Sequence, residues 1–260
     1  MSGPLLEWVF YRSVGLDRED AWIEWYDYHH YMVMQMPGWT WSRMYHALIG
    51  EEKYLALYRV EDYKALEQVY GWPDVEAGRT EVIEHQLHPA LRKDWEEKQR
   101  RGFADTGQFM FNGGARKDTG HWGWTQLAGA TFDDPLLTEN RHLGMEMVAV
   151  PEADAARWSD WYGKERFPAL LDLPGVVAGG WFGITTEGWD EEPRYRYLTL
   201  FELEDESAAL NIGDPSRRGP QAAAFWDDPA AKPYYDLAGD VLVNYYEPIS
   251  KHWSFKKQQW

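Results

Sequence analysis

The stretch W-I-E-W-Y-D-Y-H-H-Y at residues 22–31 returns later in the chain as W-S-D-W-Y-G-K-E-R-F at residues 158–167. Both copies read Trp-x-x-Trp-Tyr. A Pro-Gly pair follows each copy, as Pro37-Gly38 in the first and as Pro174-Gly175 in the second. A motif that recurs at a constant spacing is the sequence signature of an internal duplication.

A second motif recurs in the same order. Residues 54–62 read Y-L-A-L-Y-R-V-E-D, and residues 197–205 read Y-L-T-L-F-E-L-E-D. Two unrelated motifs that repeat in the same order predict two copies of one structural unit rather than one chance match.

Each copy has the pattern of a β-α-β-β-α-β unit. In the first copy we predict strands at 5–11, 39–49, 54–60 and 108–112, with helices at 18–36 and within 62–101. In the second we predict strands at 144–150, 176–185 and 194–203, helices at 151–173 and from 204, and a helix-to-strand passage at 234–246. This order is the ferredoxin-like split motif, so the predicted class is α+β.

The predicted units occupy residues 1–115 and 142–260, with a polar, glycine-rich connection at 116–141. Inside the connection, residues 121–124 could pair with a sheet edge. The polar tail after Pro248 is expected to be a loose arm or to pack on the other unit.

Composition restricts the function classes. The chain has 260 residues, of which 44% are hydrophobic and 16 are Trp, so a large aromatic core and an apolar ligand pocket are feasible. A net charge of −17 disfavours nucleic acid and anionic membranes as partners. The absence of cysteine excludes disulfides and a thiolate nucleophile. No signal pattern and no apolar run of about 18 residues occurs, so we expect a cytoplasmic protein.

The two motifs together resemble the dimeric α/β-barrel superfamily, and within it the EthD-like branch. The resemblance covers residues 5–112 and 142–248. It implies two ferredoxin-like units that pair through their sheets, here as a pseudo-dimer within one chain. A four-stranded sheet with helices on one face needs such a partner for its other face.

Members of that superfamily often carry Tyr-x-x-Glu-His-x-Pro on the first helix. The second copy keeps Glu165 and Pro168 but has Arg166 in place of His, whereas the first copy keeps His30 and has His29 in place of Glu. The copies therefore differ at their polar positions, which favours chemistry in one half and support of the fold in the other.

Four residues are the catalytic candidates: His29, His30, Tyr26 and Glu7. An imidazole on an aromatic helix face has its pKa lowered by desolvation, toward a neutral base near physiological pH. Tyr26 could donate to an oxyanion. Glu7 could act as a base of raised pKa if it faces inward, and Glu146 is the acid in the corresponding strand of the second half. Structural hydrogen bonds or packing are the alternative for each.

The substrate-binding candidates are Tyr28, Arg43, Tyr45, Trp25, Trp41, His46 and Glu165. Arg43 could anchor a carboxylate or stack on a ring. Strand alternation predicts Trp39, Trp41, Arg43 and Tyr45 on one face and His46 on the other. Glu165 occupies the position of His29 in the second copy.

Cofactor motifs are absent from the sequence, and His85 with His88 gives too few ligands at a diagnostic spacing to predict a metal. The preferred function is a cofactor-independent isomerase, cyclase or lyase that moves a proton on a small aromatic or polyketide-like molecule, with a possible homo-oligomer. One alternative is an oxygenase, cofactor-free or haem-dependent; His142, His121 or His252 would then matter. The other is a ligand-binding barrel without turnover.

Overall fold

The computed structural model describes residues 5–11, 23, 30, 34, 38–51, 53–61, 124–129, 141–184, 195–249 and 253–254, with the backbone alone for 5–11, 124–125 and 253–254. The predicted helices at 18–36 and within 62–101 and the predicted strand at 108–112 lie largely or wholly outside these residues.

The described residues of the first half form four strands. They are β1 (Leu5–Tyr11), β2 (Trp39–Ile49), β3 (Tyr54–Val60) and β4 (Trp124–Gly129). The first three have the predicted bounds, because each is a short aromatic and β-branched run that ends at a turn. Strand β4 lies within the stretch predicted as a connection.

The second half alternates strands and helices in the predicted order. Its elements are β5 (His142–Ala149), α1 (Glu152–Trp161), a π-helix (Tyr162–Arg166), α2 (Phe167–Leu171), β6 (Val176–Ile184), β7 (Tyr197–Leu203), α3 (Glu206–Gly213), α4 (Pro220–Trp226), α5 (Lys232–Tyr235) and β8 (Asp240–Pro248). The predicted single helix at 151–173 is therefore interrupted by a π-helical turn. In the tail, β9 (Trp253–Ser254) pairs with β2, so the tail contacts the first half.

All strand pairings are antiparallel, and they form a closed ring. The order is β3-β1-β4-β6-β7-β5-β8-β2-β9, and a further pairing joins β2 to β3. The second half has the order β8-β5-β7-β6 and the first half has β4-β1-β3-β2, which is the same order of pairing. The place beside β1 that the sequence pattern gives to 108–112 is occupied by β4. The halves meet where β4 pairs with β6 and where β8 pairs with β2.

One face of the sheet carries an apolar cluster built almost entirely from strands of both halves. Its members include Trp41, Tyr45, Leu55, Leu57, Leu143, Met145, Met147, Phe182, Leu198, Leu200, Leu242 and Tyr246. The other face of the second half packs against the helices, through Phe201 and Tyr245 among others. The cluster made of strand residues thus faces into the ring, and the helices lie outside it.

A β-bulge corrects one prediction about β2. The register shifts between Trp39 and Trp41, so Trp39 lies opposite Val60 whereas Trp41 lies opposite Arg59. A bulge inserts one extra residue and reverses the alternation beyond it. Trp39 therefore meets Tyr58 edge-on at 5.3 Å, whereas Trp41 joins the cluster inside the ring.

The described helices include none that is both long and apolar enough to cross a membrane.

Candidate functional site

The candidate site is a buried carboxylate held between the sheet and the helices of the second half. Glu146 on β5 is 1% exposed. The Tyr162 hydroxyl donates to Oε2 of Glu146 at 2.6 Å, and the Tyr235 hydroxyl donates to Oε1 at 2.6 Å. The Tyr162 hydroxyl also lies 2.7 Å from Oγ1 of Thr199. Both carboxylate oxygens are therefore hydrogen-bonded, as burial of a charge requires.

Strand pairing and the π-helix place these groups. Glu146 lies opposite Thr199 in the β5–β7 pair, so both side chains point to the same face. In the π-helix the Phe167 N–H donates to the Tyr162 carbonyl, five residues back. Single π-turns occur often at functional sites. The ring of Tyr162 stacks on Trp158 with centroids 4.4 Å apart, which fixes its direction.

Arg166, at the end of the same π-helix, completes the group. Its Nε donates to the Tyr235 hydroxyl at 3.1 Å, and its Nη1 donates to the Phe225 carbonyl at 2.6 Å. The guanidinium carbon lies 3.4 Å from the centre of the Phe225 ring. Nη2 is buried and has no hydrogen-bond partner in the described structure. We call Glu146, Tyr162, Thr199, Tyr235 and Arg166 the Glu146 network.

Both phenols of the network stay protonated at neutral pH. Burial, followed by the nearby charge of Glu146, raises the pKa of Tyr162 well above its ordinary value. Burial and Glu146 likewise raise the pKa of Tyr235, with Arg166 acting in the opposite direction. The tyrosines are therefore hydrogen-bond donors, and Glu146 is the group that can accept a proton.

In the first half, His30 lies at the position that corresponds to Arg166. It is fully buried, and its ring centre lies 4.9 Å from that of Tyr58. Burial lowers the pKa of His30 to about 3. The imidazole is therefore neutral at physiological pH, but its pKa is much further from neutrality than the sequence suggested. Such a group is a weak proton acceptor.

The sheet separates His30 from three of the predicted binding residues. Ser42 lies opposite Tyr58, the residue that His30 contacts, whereas Arg43 lies opposite Leu57. Arg43 is buried with its guanidinium 5.9 Å from the Tyr45 ring centre. Burial raises the pKa of Tyr45, and Arg43 opposes that shift. Trp41, Arg43 and Tyr45 therefore form a group inside the ring, apart from His30.

Two further predicted binding residues, His46 and Glu165, are not part of the Glu146 network or of the group inside the ring. Nδ1 of His46 lies 3.1 Å from Oε1 of Glu247 on β8, and its ring lies 5.4 Å from that of Tyr54. Glu165 is exposed, whereas Arg166 beside it is buried. The predicted role of Glu165 in substrate binding stays a prediction.

Glu7 on β1 and Glu146 on β5 do not occupy corresponding positions in the two halves, because the residues opposite them on β3 and β7 do not correspond. Glu7 lies opposite Tyr58, and Glu146 lies opposite Thr199. The residue that matches Tyr58 in the second motif is Phe201, which lies opposite Gly144. Several predicted residues lie outside the described part of the chain: Tyr26, Tyr28, Trp25, His29, His85, His88, His121 and His252. His142 is half-buried at the first position of β5.

Three other members of the Glu146 network were missed in the sequence. Thr199 is an ordinary strand residue, and Tyr235 is 89 residues from Glu146 along the chain. Tyr162 was named only as a member of the repeated motif. Two signals were present, however: an acidic residue within an apolar strand, and an Arg where the other copy has His.

The fold defines a class of protein. A curled antiparallel sheet with helices outside is the architecture of the ferredoxin-like, dimeric α/β-barrel proteins, and the chain is similar to solved structures of that class. One, described as an anthrone oxidase-like protein, has a TM-score of 0.57 and 12% identity, over 98% of this chain and 94% of that one. Another, a candidate monooxygenase from Fusobacterium nucleatum, has a TM-score of 0.54 and 10% identity, over 96% and 94%. No protein-family model and no curated protein matches the chain.

Proposed function

We propose that the protein is an enzyme that removes a proton from a small aromatic molecule without a cofactor, and that Glu146 accepts this proton. The observation that carries the proposal is the buried Glu146 carboxylate with two phenol donors at 2.6 Å each. A carboxylate fixed in a dry site is poised for general base catalysis.

The proposed step leaves charges and electrons balanced. A C–H or O–H bond of the substrate breaks, the proton moves to Glu146, and the electron pair remains on the substrate as an enolate or phenolate. Return of the proton to another atom gives isomerisation or cyclisation, and loss of a leaving group gives elimination. Tyr162 and Tyr235 keep their protons and orient the carboxylate.

Aromatic packing around the network supports an aromatic substrate. Trp158 stacks with Tyr197 at 4.6 Å, in addition to Tyr162. Trp161 stacks on Tyr234 at 4.3 Å, with ring planes 3° apart. Flat rings of a ligand make the same contacts, and such pairs are favourable beyond the area that they bury.

The test uses hydrogen exchange into aromatic carbon acids. In D2O the wild type should exchange the methylene hydrogens of anthrone or of hydroxylated anthrones, followed by NMR. Glu146→Gln keeps the shape of the side chain but removes the base, so exchange should fall about 100-fold or more. Glu206→Gln, at an exposed glutamate of α3, is the matched control. Equal exchange by Glu146→Gln would reject the proposal. Tight binding without exchange by the wild type would favour a non-catalytic ligand-binding barrel.

A second candidate function is oxidation of the same carbanion by O2. It is favoured by the similarity to structures described as anthrone oxidase-like and as a candidate monooxygenase. A methylene would become a carbonyl; O2 would supply one oxygen atom to the product and release the other as water. Uptake of one O2 per product supports this candidate, and turnover under argon supports the first. A Soret band in the purified protein would indicate the haem-dependent variant.

We also infer that the ring arose by tandem duplication of one EthD-like unit. Gly38 and Gly175, which end the repeated stretch, both have positive φ, of 81° and 88°. The Glu61 N–H donates to the Gly38 carbonyl at 2.7 Å, and the Glu204 N–H donates to the Gly175 carbonyl at 2.9 Å. Bulges follow at matching positions, in β2 and in β6. Matched irregularities support common descent of the halves, since regular pairing alone requires none of them.

A further inference from the structure

Arg166 combines burial with an unused hydrogen-bond donor. Its side chain is 4% exposed, and Nε and Nη1 have partners, whereas Nη2 has none in the described structure. No carboxylate pairs with it among the described ion pairs. Buried guanidinium groups normally use all their donors, because an unpaired buried donor costs free energy.

The surroundings of Arg166 are aromatic and locally cationic. Its guanidinium carbon lies 5.3 Å from the ring centre of Trp226 and 5.2 Å from that of Tyr235. Arg218 lies 5.6 Å from the same Trp226 ring. Two guanidinium groups therefore flank one indole, in a chain whose net charge is −17. Guanidinium groups placed in this way favour an anionic ligand.

We propose that Nη2 of Arg166 binds an anionic oxygen of the substrate, so that the substrate class is flat aromatic molecules that carry a carboxylate or an acidic phenol. This inference rests on the proposed function of the Glu146 network. Trp226 and Tyr235 are both half-buried and lie on α4 and α5, whereas Arg166 is covered. In this proposal the ligand enters between these two short helices, with its ring beside Trp226.

The same contact explains how the network tolerates proton transfer. Before the step Tyr235 bridges the carboxylate of Glu146 and the guanidinium of Arg166 by hydrogen bonds of 2.6 and 3.1 Å. After the step Glu146 is neutral and the substrate oxygen carries the charge beside Nη2. The positive charge of Arg166 thus keeps an anionic neighbour throughout, which is how preorganised donors stabilise a developing oxyanion.

The test compares two probes of equal shape by isothermal titration calorimetry: 2-naphthoate, an anion, and 2-naphthamide, its neutral analogue. The wild type should bind naphthoate at least 10-fold more tightly than naphthamide. Arg166→Gln should abolish this preference, and Arg166→Lys should reduce it, because Lys lacks the planar fork. Arg157→Gln is the matched control, since Arg157 is an exposed arginine of α1 that contacts the Tyr234 ring. It should keep the preference.

Equal binding of the two probes by the wild type, or no binding of either, would overturn the inference. A preference that survives in folded Arg166→Gln would overturn it as well. If Arg166→Gln does not fold, the wild-type probe pair and Arg166→Lys decide. A preference for naphthoate in the wild type, together with unchanged hydrogen exchange in Glu146→Gln, would reject the proposed function alone. No preference in the wild type, together with lost exchange in Glu146→Gln, would reject this inference alone.

Discussion

At the scale of single residues, the free energy of the buried carboxylate depends on a few short hydrogen bonds. Glu146 has two phenol donors and almost no contact with solvent. A hydrogen bond to a charged group contributes more than one between neutral groups, and removing one partner leaves the other desolvated. Of the two donors, we expect Tyr162 to contribute more to the stability of the fold, because it also contacts Thr199 and stacks on Trp158.

The first prediction concerns Tyr162→Phe. The change keeps the ring but removes the donor to Oε2 of Glu146, so the free energy of unfolding should fall by about 1–3 kcal/mol. Urea denaturation at pH 7 measures it. Tyr197→Phe is the control, because that hydroxyl donates to a neutral group, the Ala155 carbonyl, at 3.2 Å, and its loss should cost about 1 kcal/mol or less. Equal losses in the two variants would show that the charge of Glu146 has no influence.

The second prediction concerns the pH dependence of stability due to His30. Its pKa is about 3 in the folded protein, against an ordinary value of 6.5, so below the higher value the unfolded chain takes up a proton that the folded chain does not. The contribution of His30 to the free energy of unfolding is therefore complete at a pH above the ordinary pKa of 6.5. It is lost by about 1.4 kcal/mol per pH unit as the pH falls from there toward the folded-state pKa of about 3.

His30→Gln should reduce this slope by about that amount between pH 6 and pH 4. Denaturant titrations of both proteins at several pH values provide the comparison, and groups common to the two proteins cancel in the difference. Parallel curves would mean that the imidazole becomes protonated in the folded state.

Residue types were easier to predict than their contacts. The repeat indicated that polar residues at 29–30 and 165–166 had diverged, and the structure shows Arg166 and His30 buried. Which groups they meet depends on Tyr58, Tyr235 and Phe225, which come from distant parts of the chain. No local period or spacing in a single sequence encodes such meetings, so the Glu146 network could not be assembled before the fold was known.

At the scale of elements, the π-helix determines where the site can form. A continuous α-helix turns by about 100° per residue, and one wider turn displaces everything that follows it. Tyr162 and Arg166 lie at the two ends of the π-helix, and both enter the network. The pattern of the sequence predicted a helix over this range but not the wider turn.

The third prediction concerns Gly163 within the π-helix. A Cβ atom there would lie 2.8 Å from Cζ3 of Trp181, so Gly163→Ala must displace that ring. In an unhindered helix Ala is favoured over Gly by about 1 kcal/mol. We instead expect a loss of about 1–3 kcal/mol in the free energy of unfolding, from overpacking.

Gly239→Ala is the control for Gly163→Ala, since the nearest atom to its Cβ would be 4.0 Å away. Chemical denaturation of both variants, together with the near-ultraviolet circular dichroism of the Trp residues, provides the measurement. A stabilised Gly163→Ala protein would show that the turn is not confined by Trp181.

At the scale of the whole molecule, each half completes the other. The cluster inside the ring combines Tyr45 and Leu57 of the first half with Met145 and Leu200 of the second. The sequence indicated, through the repeat and the resemblance, that the uncovered face of each sheet requires a partner. It did not predict β4, since W-T-Q-L-A-G lacks the alternation of a half-buried strand and resembles a loop.

The fourth prediction follows from the pairing pattern of the ring. A fragment of residues 142–260 would expose the edges of β6 and β8 and the apolar side chains of Met145, Leu198 and Leu200. In the intact chain the fourth strand of one half pairs with the second strand of the other. Two fragments can therefore pair β8 with the partner's β6 twice, in a symmetric dimer. Size-exclusion chromatography with light scattering should give twice the fragment mass, and introducing charge at the interface by Leu200→Asp should prevent this association. A folded monomeric fragment would show that the second half does not need a partner for its inner face.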